Sequence, residues 1–195
     1  MNQELLKQAK ALFDSPEKWN AFLELVWQKD AIRAQWYQAL KEEIDKAFKT
    51  NYFADAWDFK IRGSFSYQWF LKAHTENSIS LWFEDGIFSL FASDSHDIEE
   101  IYKLIKTETF APLTNCFERI DNSFQGGYII KEERNFSFGN PYDSRFDVDR
   151  LSWFAGNKTT DLAIQIAEKV NKFRLDKQMT QLLSELNQLT KINRE

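Results

Sequence analysis

The sequence predicts an α+β fold: an antiparallel β-sheet packed by N-terminal, central and C-terminal helices. Three observations predict it. From Trp57 to Leu71 every second residue is apolar or glycine, while Asp58, Lys60, Arg62, Ser64, Ser66 and Gln68 fall between them, with Phe70 as the exception. Period-2 alternation of this length marks a sheet with one buried and one wet face. Next, Asp85-Gly86 is the dipeptide of a two-residue type I′ turn. Finally, apolar stripes at helical spacing precede and follow this central region.

In chain order, residues 2–13 read as a first helix with Leu5, Leu6, Ala9, Leu12 and Phe13 on one side. Ser15 can cap a restart, and Pro16 suits a first helical position because its missing N–H has no helical partner to lose. Trp19, Phe22, Leu23, Val26 and Trp27 form one stripe, and Trp36, Tyr37, Leu40, Ile44 and Phe48 a second. The phase shifts near Lys29-Asp30, so the segment is either one long helix or two, with Asp30 capping the second. Both stripes are read as core. In the long alternating strand Gly63 marks a bend or bulge.

The Asp85-Gly86 turn fixes a register. Pairing outward sets Phe83 opposite Phe88, Leu81 opposite Leu90 and Ile79 opposite Ala92 on one face. The other face receives Glu84 with Ile87, Trp82 with Ser89 and Ser80 with Phe91. Turn chemistry and hydrophobic pattern agree on this register. Asp94 to Asp97 opens a central helix carrying Ile98, Ile101, Leu104 and Ile105. Cys116–Ile120 and Tyr128–Phe138 read as further strands. The last third is helical, with a break at Gly156-Asn157 and a core stripe of Leu162, Ile166, Val170 and Phe173. Leu175, Met179, Leu182, Leu186 and Leu189 then follow at heptad spacing, which suits either packing on the chain's own domain or a homodimer. The expected organisation is N-terminal helices over 1–50, an α+β core over 51–175 and a heptad-patterned helix over 176–195, together one structural domain.

Composition narrows the function. Net charge is −5, without the basic excess common in nucleic-acid binders, so nucleic acid is not an expected partner. The one cysteine, Cys116, leaves no intrachain disulfide. Neither a basic leader with an apolar run nor an 18-residue apolar stretch is present, so the expected location is cytoplasmic and no membrane is expected. P-loop, dinucleotide and nucleophile-elbow motifs are absent, and His74, His96 and Cys116 show no metal-ligand spacing. No cofactor or metal is expected.

Two site hypotheses come from the wet face. Phe70, Trp82 and Phe91 would form an aromatic protein-binding patch with Lys60, Arg62 and Glu84 as rim charges. Alternatively, Asp58-Phe59-Lys60 supplies the acid-x-Lys of a metal-dependent nuclease, completed by Glu84 or Asp85. A third reading is an acidic inhibitor or immunity protein that covers a basic partner site.

The Ala39-Leu40-Lys41-Glu42-Glu43-Ile44 helix leading to Trp57, the Ile79–Phe91 hairpin, Ile101 to Ile105 followed by Cys116-Phe117-Glu118-Arg119-Ile120, and Trp153 together carry a resemblance. Over residues 33–175 the chain resembles an uncharacterised small α/β domain found with predicted PD-(D/E)XK nuclease-like bacterial proteins. The resemblance implies a non-catalytic partner domain, of bacterial or phage type, in defence, counter-defence or mobile elements.

Overall fold

The computed structural model describes residues 3–49, 56–63, 65–118, 120, 127–132 and 148–192. Its elements run α1 (Gln3–Leu12), α2 (Pro16–Lys49), β1 (Trp57–Gly63), β2 (Ser66–Leu71), β3 (Ser80–Glu84), β4 (Ile87–Phe91), α3 (Ile98–Leu104), α4 (Ala111–Asn115), β5 (Tyr128–Lys131), α5 (Val148–Asn157), α6 (Thr159–Arg174) and α7 (Lys177–Thr190). The five strands form an antiparallel sheet in sequence order, a meander. Among the described residues no helix is long and apolar enough to cross a membrane.

The long alternating stretch is two strands rather than one. It turns back after Gly63, so Trp57 lies opposite Leu71, Phe59 opposite Trp69 and Ile61 opposite Tyr67. Each pair joins two odd-numbered residues. The turn therefore preserves the alternation, and the apolar set stays on one face across the reversal. The next hairpin has the expected register from Glu84 opposite Ile87 to Ser80 opposite Phe91. Asp85 and Gly86 have φ of 48° and 82°, the two positive values that a type I′ turn requires.

Helices α2, α6 and α7 pack on the core face of the sheet. Phe48 of α2 stacks on Phe59 and meets Trp69, and Tyr37 of α2 stacks on Phe65. Phe173 of α6 contacts Phe88 and Phe117. Along α7, Thr180 accepts a hydrogen bond from the Trp57 indole at 3.0 Å. Asn187 accepts from the Ile79 N–H at 2.7 Å and donates to the Ile79 carbonyl at 3.2 Å. A buried side-chain amide thus stands in for a neighbouring strand, because a buried backbone group left unpaired is costly.

Other elements follow from local chemistry. Asp97 caps α3 by accepting from the Glu100 N–H, and Asp176 caps α7 by accepting from Gln178 and Met179. The described residues of the expected strand 116–120 form no strand: Cys116 ends α4, and Ile120 makes an isolated bridge to Glu132. β5 is described to Lys131, and residues 133–138 of the expected strand lie outside the described residues. A buried ion pair ties this region together. Glu132 accepts from Lys169 of α6 at 2.5 Å and from the Glu118 N–H at 2.7 Å.

α2 is one continuous helix, with Asp30 bonded to Arg33 inside it rather than capping a second helix. Its two halves have different environments. Tyr37, Leu40, Ile44 and Phe48 are buried under α5 and α6. From Gln3 to Trp36 no residue is buried.

Candidate binding surfaces

The second face of the sheet holds most of the expected site residues. Gln68 sits at its centre, 1% exposed, with every amide atom engaged. Its Nε2 donates to the Glu76 carbonyl at 2.8 Å and to the Ser80 hydroxyl at 2.9 Å, and its Oε1 accepts from Arg62 Nε at 2.7 Å. The Glu76 carboxylate pairs with Lys60, and with Arg62 at 3.1 Å. The Lys60 hydrogen bond, helped by the nearby Arg62 and Lys60 charges, holds the Glu76 carboxyl below its ordinary value. Lys60 and Arg62 are therefore tied to the β2–β3 loop instead of standing as open rim charges.

Phe70 is 8% exposed and contributes no open surface, which corrects its place in the aromatic patch. Trp82 and Phe91 are half-buried and continue instead to Tyr128. Trp82–Phe91 and Phe91–Tyr128 ring centroids are each 5.3 Å apart. This ladder crosses β3, β4 and β5. Arg62 stands over Trp82 at 5.8 Å, Lys131 over Tyr128 at 5.5 Å, and the Tyr128 hydroxyl donates to Glu84 at 3.2 Å. Burial, and then the Glu84 charge, push the Tyr128 phenol above its ordinary value. Sequence reasoning missed Tyr128 because its membership depends on a register shift between Leu90 and Phe91 in the β4–β5 pair.

The nuclease arrangement does not assemble. Lys60 is bonded to Glu76, Asp58 accepts from the Phe59 N–H, and Glu84 receives the Tyr128 hydroxyl. The pairings place Asp58 opposite Phe70 on β1–β2, but Glu84 opposite Ser66 on β2–β3. Two strands across and four residues along, Asp58 and Glu84 are separated by roughly 16 Å, too far to share a metal ion. Among the described residues no cluster of three His, Cys, Asp or Glu is placed to hold one. Burial pushes the Cys116 thiol up, with the Lys172 charge opposing it, and the sulfur lies 3.9 Å from the Met179 sulfur. His74 and His96 pair with the Ser184 and Ser95 hydroxyls, at 2.8 and 3.0 Å. Burial first, then Lys191, lowers the His74 pKa; burial also leads the lowering at His96.

The heptad residues are mostly consumed internally. Met179, Leu182 and Leu186 are buried against the chain's own core, while Leu175 belongs to the end of α6 and is exposed with Leu189. The α6–α7 corner interrupts the repeat, and the α7 stripe packs beneath α3, α4 and α6. A dimer through this seam would first have to unpack the domain.

The stripes expected in the core at the N-terminus are open. Of the α2 stripe, Trp19, Phe22, Val26 and Trp27 are exposed, Trp19 by 46% and Trp27 by 78%, while Leu23 is half-buried; Leu5, Leu6 and Leu12 of α1 are exposed too, as is Leu25 outside the stripe. Phe13, Trp19 and Phe22 gather at the α1–α2 corner, with Phe13–Phe22 centroids 4.6 Å apart. Where α2 reaches the sheet, Asp30, Arg33, Tyr37, Ser66, Glu84 and Asp85 line a shallow cleft of about 400 Å³. Upstream of it the arm stands clear of the body. No protein-family model, curated protein or solved structure matches the chain.

Proposed function

We propose that this is a non-catalytic protein that works by protein–protein contact, presenting the N-terminal arm of α1 and the first half of α2. The observation that carries the reading is the open apolar area. Trp19, Phe22, Val26 and Trp27 share one side of α2 and are all exposed, leaving roughly 500 Å² of apolar surface there, a size at which an exposed patch is often functional. The resemblance over 33–175 supports a cytoplasmic partner role in bacterial or phage defence, counter-defence or mobile elements.

A second surface is favoured by a separate observation. The Trp82–Phe91–Tyr128 ladder is half-exposed, and aromatic side chains are enriched in interface cores.

The test compares the tagged wild-type protein with Trp27→Glu and with Trp82→Ala in affinity capture. A protein captured by the wild type and lost with Trp27→Glu supports the arm; loss with Trp82→Ala alone assigns the contact to the ladder. Capture unchanged in both variants overturns both surfaces. Cleavage of DNA or RNA in Mg²⁺ or Mn²⁺ that Asp58→Ala abolishes would overturn the non-catalytic reading.

A further inference from the structure

We infer that the occupant of the arm is a second copy of this chain, laid antiparallel along α2 about a twofold axis near Leu23. This rests on the reading of the arm as the binding surface. Trp19, Phe22 and Val26 lie eighteen residues before Tyr37, Leu40 and Ile44, and eighteen residues make five helical turns. The open stripe is thus the outward continuation of the same helix face that α5 and α6 cover within the body. A helix laid on it extends an existing helix–helix seam.

Area and charge select the occupant. Two copies of the Trp19–Trp27 stripe can withdraw roughly 1,000 Å² from water in total, the lower bound of a specific interface. Residues 3–35 contain five acidic and five basic side chains, so the whole net charge of −5 lies outside the arm. A strongly acidic or basic partner finds no complementary excess here, and anionic lipid finds no basic face. A second neutral, apolar arm fits. The same charge distribution selects the orientation. Side-by-side bodies would bring two acidic surfaces together, whereas antiparallel arms put a body at each end. Trp36, where the body begins, is thirteen residues from Leu23, so about 39 Å of helix separates the two bodies, several Debye lengths at physiological salt. In this pairing Trp19 of one copy lies opposite Trp27 of the other, and Leu23 packs on its twofold mate.

Sedimentation equilibrium tests the inference directly. The wild type is expected at twice its mass of 23.1 kDa at micromolar concentration. Val26→Glu and, independently, Leu23→Glu are expected to give monomers with unchanged circular dichroism, since neither residue is buried in the body. Leu189→Glu, on the exposed end of α7, is expected to remain dimeric. Orientation is read from a spin label at Ala34→Cys in a Cys116→Ser background. Eleven residues from Leu23, two labels are expected about 33 Å apart when antiparallel and about 10 Å apart when parallel. A short distance overturns the orientation. A monomeric wild type at 100 μM overturns the self-pairing, as does a dimer that Val26→Glu and Leu23→Glu leave intact; flotation of a monomeric wild type with phosphatidylcholine vesicles would assign the arm to a lipid surface. The capture experiment separates the two failures: a monomer whose arm still captures another protein leaves the binding reading standing without the self-pairing.

Discussion

Gly156→Ala is expected to destabilise this protein, although the same change in an exposed helix interior stabilises by about 0.5–1 kcal/mol. Gly156 lies inside α5 where that helix crosses α2. A Cβ built there falls 2.4 Å from Trp36 Cδ2, 2.5 Å from Cγ and 2.6 Å from Cδ1. Ordinary van der Waals contact begins near 3.4 Å, so indole and methyl cannot coexist without a shift of about 1 Å. The atoms met are those nearest the Trp36 backbone, so a small rotation at the far end of the ring does not relieve the clash. Overpacking of this kind costs about 1–3 kcal/mol. Set against the helix gain, the net loss is up to about 2.5 kcal/mol, or a drop in Tm of up to roughly 10 °C for a chain of this length. Urea unfolding of Gly156→Ala, Trp36→Ala and the double variant checks the cause. In the Trp36→Ala background the indole is gone, and Gly156→Ala should be neutral or stabilising. Stabilisation by Gly156→Ala in the native background, or an equal effect in both backgrounds, would refute the reasoning. The contact matters beyond stability, because it clamps the base of the arm to the body.

Two further outcomes follow from buried polar groups. Asn187→Ala removes both partners of the Ile79 backbone, with an expected cost of about 2–4 kcal/mol; a loss under 0.5 kcal/mol in urea unfolding would show that the amide is not acting as a strand surrogate. Stability should also fall with acid over a defined window. His74 and His96 both have folded pKa values below the ordinary one, chiefly through burial. Below about pH 6.5, where unfolded histidines take up protons, the unfolded chain binds more protons than the folded one. Their contribution is therefore intact above that pH, declines as pH falls toward the folded values and then levels off. A His74→Asn, His96→Gln double variant should show a flatter dependence of the urea midpoint between pH 7 and 5.5, and an unchanged slope would count against the assignment. Loss from Glu76, whose carboxyl is held low by Lys60, belongs below about pH 4.5.

The fold class, the hairpin register and the inward face of the sheet were legible in the chain. Side-chain alternation is a local property of a pleated strand, and Asp85-Gly86 sets its register through backbone sterics alone. The same parity that made Trp57–Leu71 readable also concealed its turn, since a reversal that pairs odd with odd leaves the pattern unbroken. The Asp97 cap was accessible for the same reason, because its partner lies within three residues.

The surfaces were not legible, because exposure is a property of what lies opposite. Trp19, Phe22 and Val26 have the spacing of Tyr37, Leu40 and Ile44 on the same helix face, yet α5 and α6 cover only the second set. Phe70, Trp82 and Phe91 share one face of the sheet, and only the packing around them separates a buried Phe70 from a half-open ladder reaching Tyr128. Met179, Leu182 and Leu186 read equally well as a dimer seam or as core until α3, α4 and α6 are seen over them. By itself the sequence determined which residues must leave water, through periodicity and local backbone chemistry. Only the tertiary structure decided which of them the chain covers itself, because helix length and sheet position set how far the body reaches, and α2 runs some twenty residues past its end.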